Sequence, residues 1–152
     1  MFDALTLFSN DQDISAMNAN DLLLCDKSVD LGVAGTDALG NTVLKDVGRG
    51  MCPELLIQVT TAVTGAGGAL VTFQLVEADN EALDSNLVIL ASTAAIAVTA
   101  LVAGYQARLC CVPPGVSKRF IGVRFLNTIA DLTAGKITAG LVIGKNTGLA
   151  FV

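Results

Sequence analysis

Residues 105–125 read YQARLCCVPPGVSKRFIGVRF, and this stretch decides the fold class. Residues 105–112 and 120–125 are rich in side chains that suit a pleated surface. Between them, residues 113–115 (Pro-Pro-Gly) signal a turn, because proline presets φ and glycine accepts the positive φ that a type II turn requires. The stretch therefore predicts a strand, a sharp hairpin-like corner and a second strand.

The rest of the chain continues the same pattern of short apolar segments separated by glycine-rich turns. Residues 55–63 and 69–76 flank the loop TGAGG and predict a β-hairpin. Further strands are predicted at residues 1–9, 14–17, 22–25, 29–31, 87–91, 96–98 and 136–144, with a turn-rich break at 10–13, a long glycine-rich loop at 32–50 and a linker at 126–135.

This spacing of strands, without a long amphipathic helix, is typical of a β-sandwich or barrel. We predict an all-β fold, a jelly-roll-like antiparallel β-sandwich. Residues 1–152 are expected to form one domain, with residues 1–20 as an N-terminal arm. The length allows a single domain to bury most of its apolar surface.

A hydropathy window alone would assign residues 87–104 to a transmembrane helix. Ser92, Thr93 and Thr99 interrupt this run, no basic residue flanks it, and strand signals stand on both sides. We therefore expect strands here and no membrane partner. Residues 1–10 contain Asp3 and no basic residue, so no secretion signal is predicted and the cysteines fit synthesis in a reducing cytoplasm.

The composition is unusually apolar, with 53% hydrophobic and 15% charged residues, against a usual charged share of about 25%. A small domain does not easily hide so much apolar surface. This excess indicates burial against copies of the chain or against a partner.

The charges are distributed unevenly along the chain. Residues 1–54 carry nine acidic and three basic side chains, residues 55–107 carry four acidic and none basic, and residues 108–152 carry six basic and one acidic. Either the two ends pack together and neutralise each other, which we favour, or the protein has a basic docking face and an acidic outer face. An acidic chain without a dense basic run is not expected to bind nucleic acid.

The sequence offers little chemistry. There is no histidine, so histidine-dependent catalytic pairs and histidine-ligated metals are excluded, and the four cysteines match no zinc spacing. Glycines at 65–68 lack the Lys-Ser/Thr of a phosphate loop. We predict no enzyme activity, no catalytic residue and no cofactor.

Two acidic clusters could in principle bind Ca²⁺ through carboxylate oxygens. One is Asp11 with Asp13; the other is formed by Glu77, Asp79, Glu81 and Asp84. Their spacing matches no calcium loop, so solvated loops are the favoured interpretation and no metal site is predicted.

Several segments resemble, in order, a family of tailed-phage capsid cement (decoration) proteins of the type found on the Bordetella podophage head. The segments are LTLFSNDQDISA, DVGRGMCPELLIQV, GAGGALVTFQL, LASTAAIAVTALVAGYQARLCCVPPGVSKRFIGVRF and TAGKITAGLVIGKNTG. Each is plain strand and turn sequence, but the serial arrangement is specific. The pair Cys110-Cys111 and the longer loop at residues 32–42 depart from the expected family pattern.

The resemblance implies a jelly-roll sandwich that binds the outer surface of an icosahedral head and bridges capsomers of the major capsid protein. It also implies a homo-oligomer, with a homodimer favoured over a homotrimer, synthesis in the host cytoplasm and no catalytic residues. The alternative functions are a carbohydrate- or host-surface-binding module of a head fibre or tail, and a small hydrolase that uses the acidic loop.

The candidate interface residues lie in three places. They are the N-terminal segment, the loop at residues 32–50, and the basic residues of the opening corner. The residues of the first and last are Phe2, Leu5, Leu7, Phe8, Lys118, Arg119 and Arg124.

Overall fold

The computed structural model describes residues 4–43, 53–109 and 116–143. Within these ranges it contains strands and one short 3-10 helix, Val98–Ala100. The strands are β1 (Leu7–Asp13), β2 (Leu22–Leu24), β3 (Val29–Asp30), β4 (Gly35–Thr36), β5 (Thr42–Val43), β6 (Pro53–Gly65), β7 (Leu70–Ala78), β8 (Val88–Ser92), β9 (Ile96–Ala97), β10 (Gln106–Leu109), β11 (Phe120–Thr128) and β12 (Leu132–Ile143).

Two antiparallel sheets pack face to face. The first sheet has the order β1-β12-β6-β10, and the second has the order β2-β11-β7-β8, with β3 added to β11 and β9 to β7. Strands β4 and β5 form a separate two-stranded hairpin. The predicted all-β, antiparallel β-sandwich is confirmed.

The strand pairs are nested in the sequence. β1 pairs with β12, β2 with β11, β6 with β10 and β7 with β8, all antiparallel. A long double ribbon that wraps into two sheets produces such nesting, and a jelly roll of two Greek keys is built this way. We interpret the sandwich as a jelly roll on the basis of this order.

The predicted hairpin at residues 55–76 is wrong in its pairing. Both strands form, but β6 lies in the first sheet and β7 in the second, so residues 66–69 cross between the sheets. The same holds for the opening stretch, where β10 and β11 belong to different sheets. Turn residues specify a change of direction, whereas burial of the apolar face of each strand decides its partner. The turn at residues 113–115 lies outside the described residues.

The N-terminal region also differs from its prediction. The predicted break at residues 10–13 lies inside β1, which tolerates it through register shifts against β12 and a positive φ of 56° at Asp11. The predicted edge strand at 14–17 is a turn with Ile14 and Met17 buried. Residues 7–13 are therefore an edge strand of the first sheet rather than a free arm. The predicted linker at 126–135 is mostly strand, since β11 and β12 leave only three residues between them.

The core lies between the two sheets. Phe73 and Phe125 meet edge to face, with ring centroids 5.9 Å apart, and Phe8 is fully buried in the same cluster. A smaller cluster of Val76, Ala78 and Leu83 lies on the outer face of the second sheet. Its presence explains why almost every residue of β7 is buried.

The uncharged run at residues 87–104 forms β8, β9 and the 3-10 helix, as strands were expected there. In the described part of the chain, no helix is long and apolar enough to cross a membrane.

Gly122 provides a test of the packing between β11 and residues 79–87, the loop between β7 and β8 that covers it. A Cβ atom at this position would overlap Leu83 Cδ1 and lie 2.9 Å from Cys25 Sγ. We expect Gly122→Ala to lower the free energy of unfolding by about 1–3 kcal/mol, as overpacking does. Chemical denaturation at a fixed protein concentration measures this change.

Gly67 is the matched control, because a Cβ there would meet no atom within 4 Å. Gly67→Ala should leave stability unchanged or slightly raised, because it lowers the entropy of the unfolded chain. Equal effects of the two substitutions would contradict the packing of Leu83 against Gly122.

Candidate interaction surface

The two ends of the sandwich differ. At one end, residues 66–69 and 129–131 make short crossings between the sheets, and Ala66 N donates to Asp131 O. The register places the start of β6, the ends of β10 and β12, and the start of β11 at the opposite end. We call this opposite end the hairpin end, because the β4–β5 hairpin begins there. Its described residues are 5–7, 29–43, 53–55, 77–79, 109, 117–120 and 141–142.

The β4–β5 hairpin has a well-ordered tip. Asp37 Oδ1 accepts hydrogen bonds from the backbone N–H groups of Leu39 (2.9 Å) and Asn41 (2.8 Å), and Asp37 Oδ2 accepts one from Asn41 Nδ2. These bonds hold the pKa of Asp37 below its ordinary value, and the bond from the Asn41 side chain has the largest effect. Gly40 takes the φ of +81° that closes the turn. The only charge of this hairpin is thus used to fix its own backbone.

The same hairpin exposes apolar side chains. Leu39 is 87% exposed at the tip, Val33 is 82% exposed and Val43 is 47% exposed. None of them packs against either buried cluster. Apolar side chains held on an ordered protrusion are typical of a contact surface rather than of a solvated loop.

The predicted basic residues are mostly paired within the chain. Arg119 donates to both carboxylate oxygens of Asp30, from Nε at 2.8 Å and from Nη2 at 2.6 Å, and these bonds raise its pKa. Lys118 Nζ lies 2.9 Å from Asp79 Oδ1, and its side chain is only 17% exposed. The pKa of Asp79 is below its ordinary value, mainly because its carboxylate accepts this hydrogen bond from Lys118. The positive charge expected at this corner is therefore largely compensated.

Arg124 lies apart from this corner, in the middle of β11, where its Nε donates to Gln74 Oε1 at 2.8 Å. A third ion pair joins Lys136 to Asp11 across the first sheet at 3.3 Å. The three described ion pairs each join an acid before residue 80 to a base after residue 117. The favoured prediction, that the two ends of the chain neutralise each other, is confirmed for these residues.

Glu77 has a structural role that the sequence did not indicate. Its side chain is buried at the end of β7 and accepts three hydrogen bonds, from Ser117 N (2.9 Å), Ser117 Oγ (2.8 Å) and Lys118 N (3.1 Å). It therefore fixes the backbone that leads into β11 and positions Lys118 beside Asp79.

The carboxylates of the acidic loop contact different partners. Asp79 contacts Lys118 and Asn86, whereas Asp84 contacts Asn80, so these carboxylates point to different partners. Among the described residues, no three His, Cys, Asp or Glu side chains are arranged to hold a metal ion.

The predicted N-terminal residues have different environments. Leu5 is 85% exposed, Leu7 is half-buried and Phe8 is fully buried. Phe8 belongs to the core and is not available to a partner, so its assignment to an interface is wrong. The reason is that Phe8 already lies in β1, on the face that packs against the second sheet. Phe2 lies outside the described residues. Thr6 pairs with Leu141, and this pairing places Leu5 at the hairpin end.

A shallow cavity of about 620 Å³ lies beside residues 79–87, the loop between β7 and β8. Its lining includes Cys25, Lys27 and Glu81. The Cys25 thiol donates to Lys27 O at 3.0 Å and accepts from Val123 N at 3.1 Å. These bonds tie residues 25–27 to β11, and we interpret the thiol as structural.

The aromatic side chains do not form a binding platform in the described part of the chain. Phe8, Phe73 and Phe125 are buried, and Tyr105 is half-buried against the core. Phe120 lies under the Arg119 guanidinium, whose central carbon is 5.0 Å from the ring centroid. Sugar-binding surfaces commonly stack the ligand on exposed aromatic faces, and this geometry offers none to support the carbohydrate-binding alternative.

Comparison with known proteins identifies a family. The family model Bbp16 matches residues 8–141, which cover both sheets and the hairpin. No curated protein matches the sequence.

The role of Glu77 can be tested by Glu77→Gln. An amide is neutral, so the two backbone N–H groups lose a charged acceptor, and Ser117 Oγ has to accept from the amide nitrogen instead of donating. We expect the free energy of unfolding to fall by about 1–3 kcal/mol. Glu81→Gln is the control, because Glu81 is exposed and its side chain should tolerate the change. Equal stability of the two variants in denaturant unfolding would contradict the structural role of Glu77.

The pKa of Cys25 predicts a pH dependence. Burial raises it from 9.0 to about 11. The folded protein therefore keeps this proton at pH values where the unfolded chain loses it, and stability should decrease between pH 9 and pH 11. Cys25→Ala should remove this part of the decrease. The difference between the stability–pH curves of the two proteins is the measurement, and parallel curves would refute the shift.

Proposed function

Because the chain belongs to the Bbp16 family, which is named for a Bordetella phage protein, we propose that it is a capsid cement protein. It binds the outer surface of an icosahedral phage head and stabilises contacts between capsomers of the major capsid protein. The observation that carries this proposal is the family match over residues 8–141. The serial resemblance of the strand segments to capsid cement proteins gives it its specific form.

The hairpin end is the surface that best suits contact with the shell. It collects the exposed Leu5, the β4–β5 hairpin and the ion pair of Arg119 with Asp30. Leu5, residues 32–43 and the pair Lys118 and Arg119 come from the three candidate interface segments and lie at this end, whereas Phe8 is buried and Arg124 lies in the middle of β11. A convex, ordered protrusion can enter a depression between capsomers, and its fixed turn lowers the entropy lost on binding.

The contact should be mainly apolar. Lys118 and Arg119 are already paired with Asp79 and Asp30, and both Arg119 and Asp30 remain about half exposed. Ion pairs compensated in this way contribute little attraction at long range. The affinity is then carried by Leu39, Val33 and Val43.

A cement function requires binding and rigidity rather than catalysis. Many copies on one shell stabilise it even when each contact is modest, because a ligand that binds the assembled state alone shifts the equilibrium toward it. We accordingly propose a structural protein with no enzyme activity, located on the outside of the virion.

Binding to heads that lack the protein tests this function. Purified protein should bind such heads at saturable stoichiometry and raise the temperature at which they release DNA. Leu39→Lys should weaken binding roughly 10- to 100-fold, because it replaces the contact of a large apolar side chain by a charge. Cosedimentation and a thermal DNA-release assay provide the two measurements.

Val102→Lys is the matched control, because Val102 is 55% exposed and lies away from the hairpin end. It should bind as the unchanged protein does. Failure of the unchanged protein to bind heads would overturn the proposed function. Equal weakening by both substitutions would remove the hairpin from the contact while leaving the function in place.

A further inference from the structure

The chain leaves the second sheet and enters the β4–β5 hairpin at residues 30–32. Asp30 is the last residue of β3 and pairs with Phe120 of β11. Gly32 has a φ of +79°, which turns the chain away from the sheet. Residues 33–43 are all exposed, and β4 and β5 form a sheet of their own. Within the described part of the chain, the direction in which the hairpin projects is therefore set at residues 30–32.

Arg119 fixes the geometry of this short segment. Its Nε donates to Asp30 Oδ1 at 2.8 Å and its Nη2 donates to Asp30 Oδ2 at 2.6 Å, so the guanidinium and the carboxylate meet as a two-pronged fork. Asp30 Oδ1 also accepts from Gly32 N at 2.7 Å. Arg119 O accepts from Leu31 N at 2.8 Å. All three residues at the base of the hairpin are thus bonded to Arg119 or to the carboxylate that Arg119 holds.

Arg119 is itself held in place from two sides. The central carbon of its guanidinium lies 5.0 Å from the ring centroid of Phe120. The backbone N–H groups of the two residues before it, 117 and 118, donate to the buried Glu77 carboxylate. A continuous set of contacts therefore runs from Glu77 through Arg119 and Asp30 to the base of the hairpin.

We propose that the Arg119–Asp30 fork sets the direction of the β4–β5 hairpin and thereby the presentation of Leu39 to the capsid shell. The shell as partner rests on the proposed function, whereas the positioning is a property of the free protein. Arg119 is then a positioning residue rather than a contact residue. A hairpin that swings freely has its tip in the productive direction for only a fraction of the time, and the apparent dissociation constant rises by the inverse of that fraction.

Two substitutions test the fork. Arg119→Lys keeps the positive charge but cannot form the two parallel bonds. Asp30→Ala removes the carboxylate and with it the acceptor of Gly32 N. The matched control is Arg124→Lys, further along β11, where the arginine donates to Gln74 instead. Stability in denaturant should change little in Arg119→Lys and Asp30→Ala, because the pair is about half exposed and such pairs contribute little to folding.

Nitrogen-15 relaxation of the free, full-length chain measures the motion of the hairpin. In the unchanged protein and in Arg124→Lys, the backbone amides of residues 35–42 should have order parameters of about 0.85, as rigid backbone does. In Arg119→Lys and Asp30→Ala the same amides should fall below about 0.6, the range of flexible backbone.

Cosedimentation with heads that lack the protein measures the consequence for binding. Arg119→Lys and Asp30→Ala should each raise the apparent dissociation constant roughly 10-fold, which corresponds to a hairpin that spends about a tenth of its time in the productive direction. Arg124→Lys should bind as the unchanged protein does.

Three results would overturn the proposal. A hairpin that is already flexible in the unchanged protein, or one that stays rigid in both Arg119→Lys and Asp30→Ala, would refute positioning by the fork. A hairpin that moves freely without any loss of binding would refute its role in presenting Leu39. Failure of the unchanged protein to bind heads would overturn the proposed function instead, and the relaxation measurement would still decide whether the fork holds the hairpin.

Discussion

The pairing of β12 with β6 is the contact on which the rest of the sandwich depends. These are the two longest strands, and their ladder runs from Leu132 with Gly65 to Ile143 with Pro53. β12 then holds β1 on its other side, and β6 holds β10. Without this central ladder neither edge strand of the first sheet has a partner, and the inner face of the second sheet is exposed to water.

A chain with few charges can satisfy its polar groups only through such ladders and through specific internal pairs. The three described ion pairs link acids before residue 80 to bases after residue 117, and Glu77 anchors the segment before β11. Each ion pair is exposed on at least one side and is worth little by itself. Two of them lie at the hairpin end, where they pair Lys118 and Arg119 with acids of the same chain.

Sequence reasoning located most strands because alternating burial leaves a local pattern, as in Leu55, Ile57 and Val59. It could not assign strands to sheets: the loop at residues 64–68 has the composition of a hairpin turn, yet its strands separate because each buries one face against the opposite sheet. Phe8 was misassigned for a similar reason, since an apolar N-terminal segment has the same local pattern whether it is free or paired. The exposed tip residue Leu39 had no signal beyond its glycine-rich surroundings.

The nested order of strands also constrains how the protein is made. β1 is synthesised before the other described strands but finds its partner, β12, only after all of them have been translated. Until then the apolar residues of β1 remain open to other chains, and sequence-distant pairing of this kind is slow. Dense synthesis of many copies in one cell would favour contacts between nascent chains. The acidic side chains of β1 then also prevent its pairing with other chains before β12 is available.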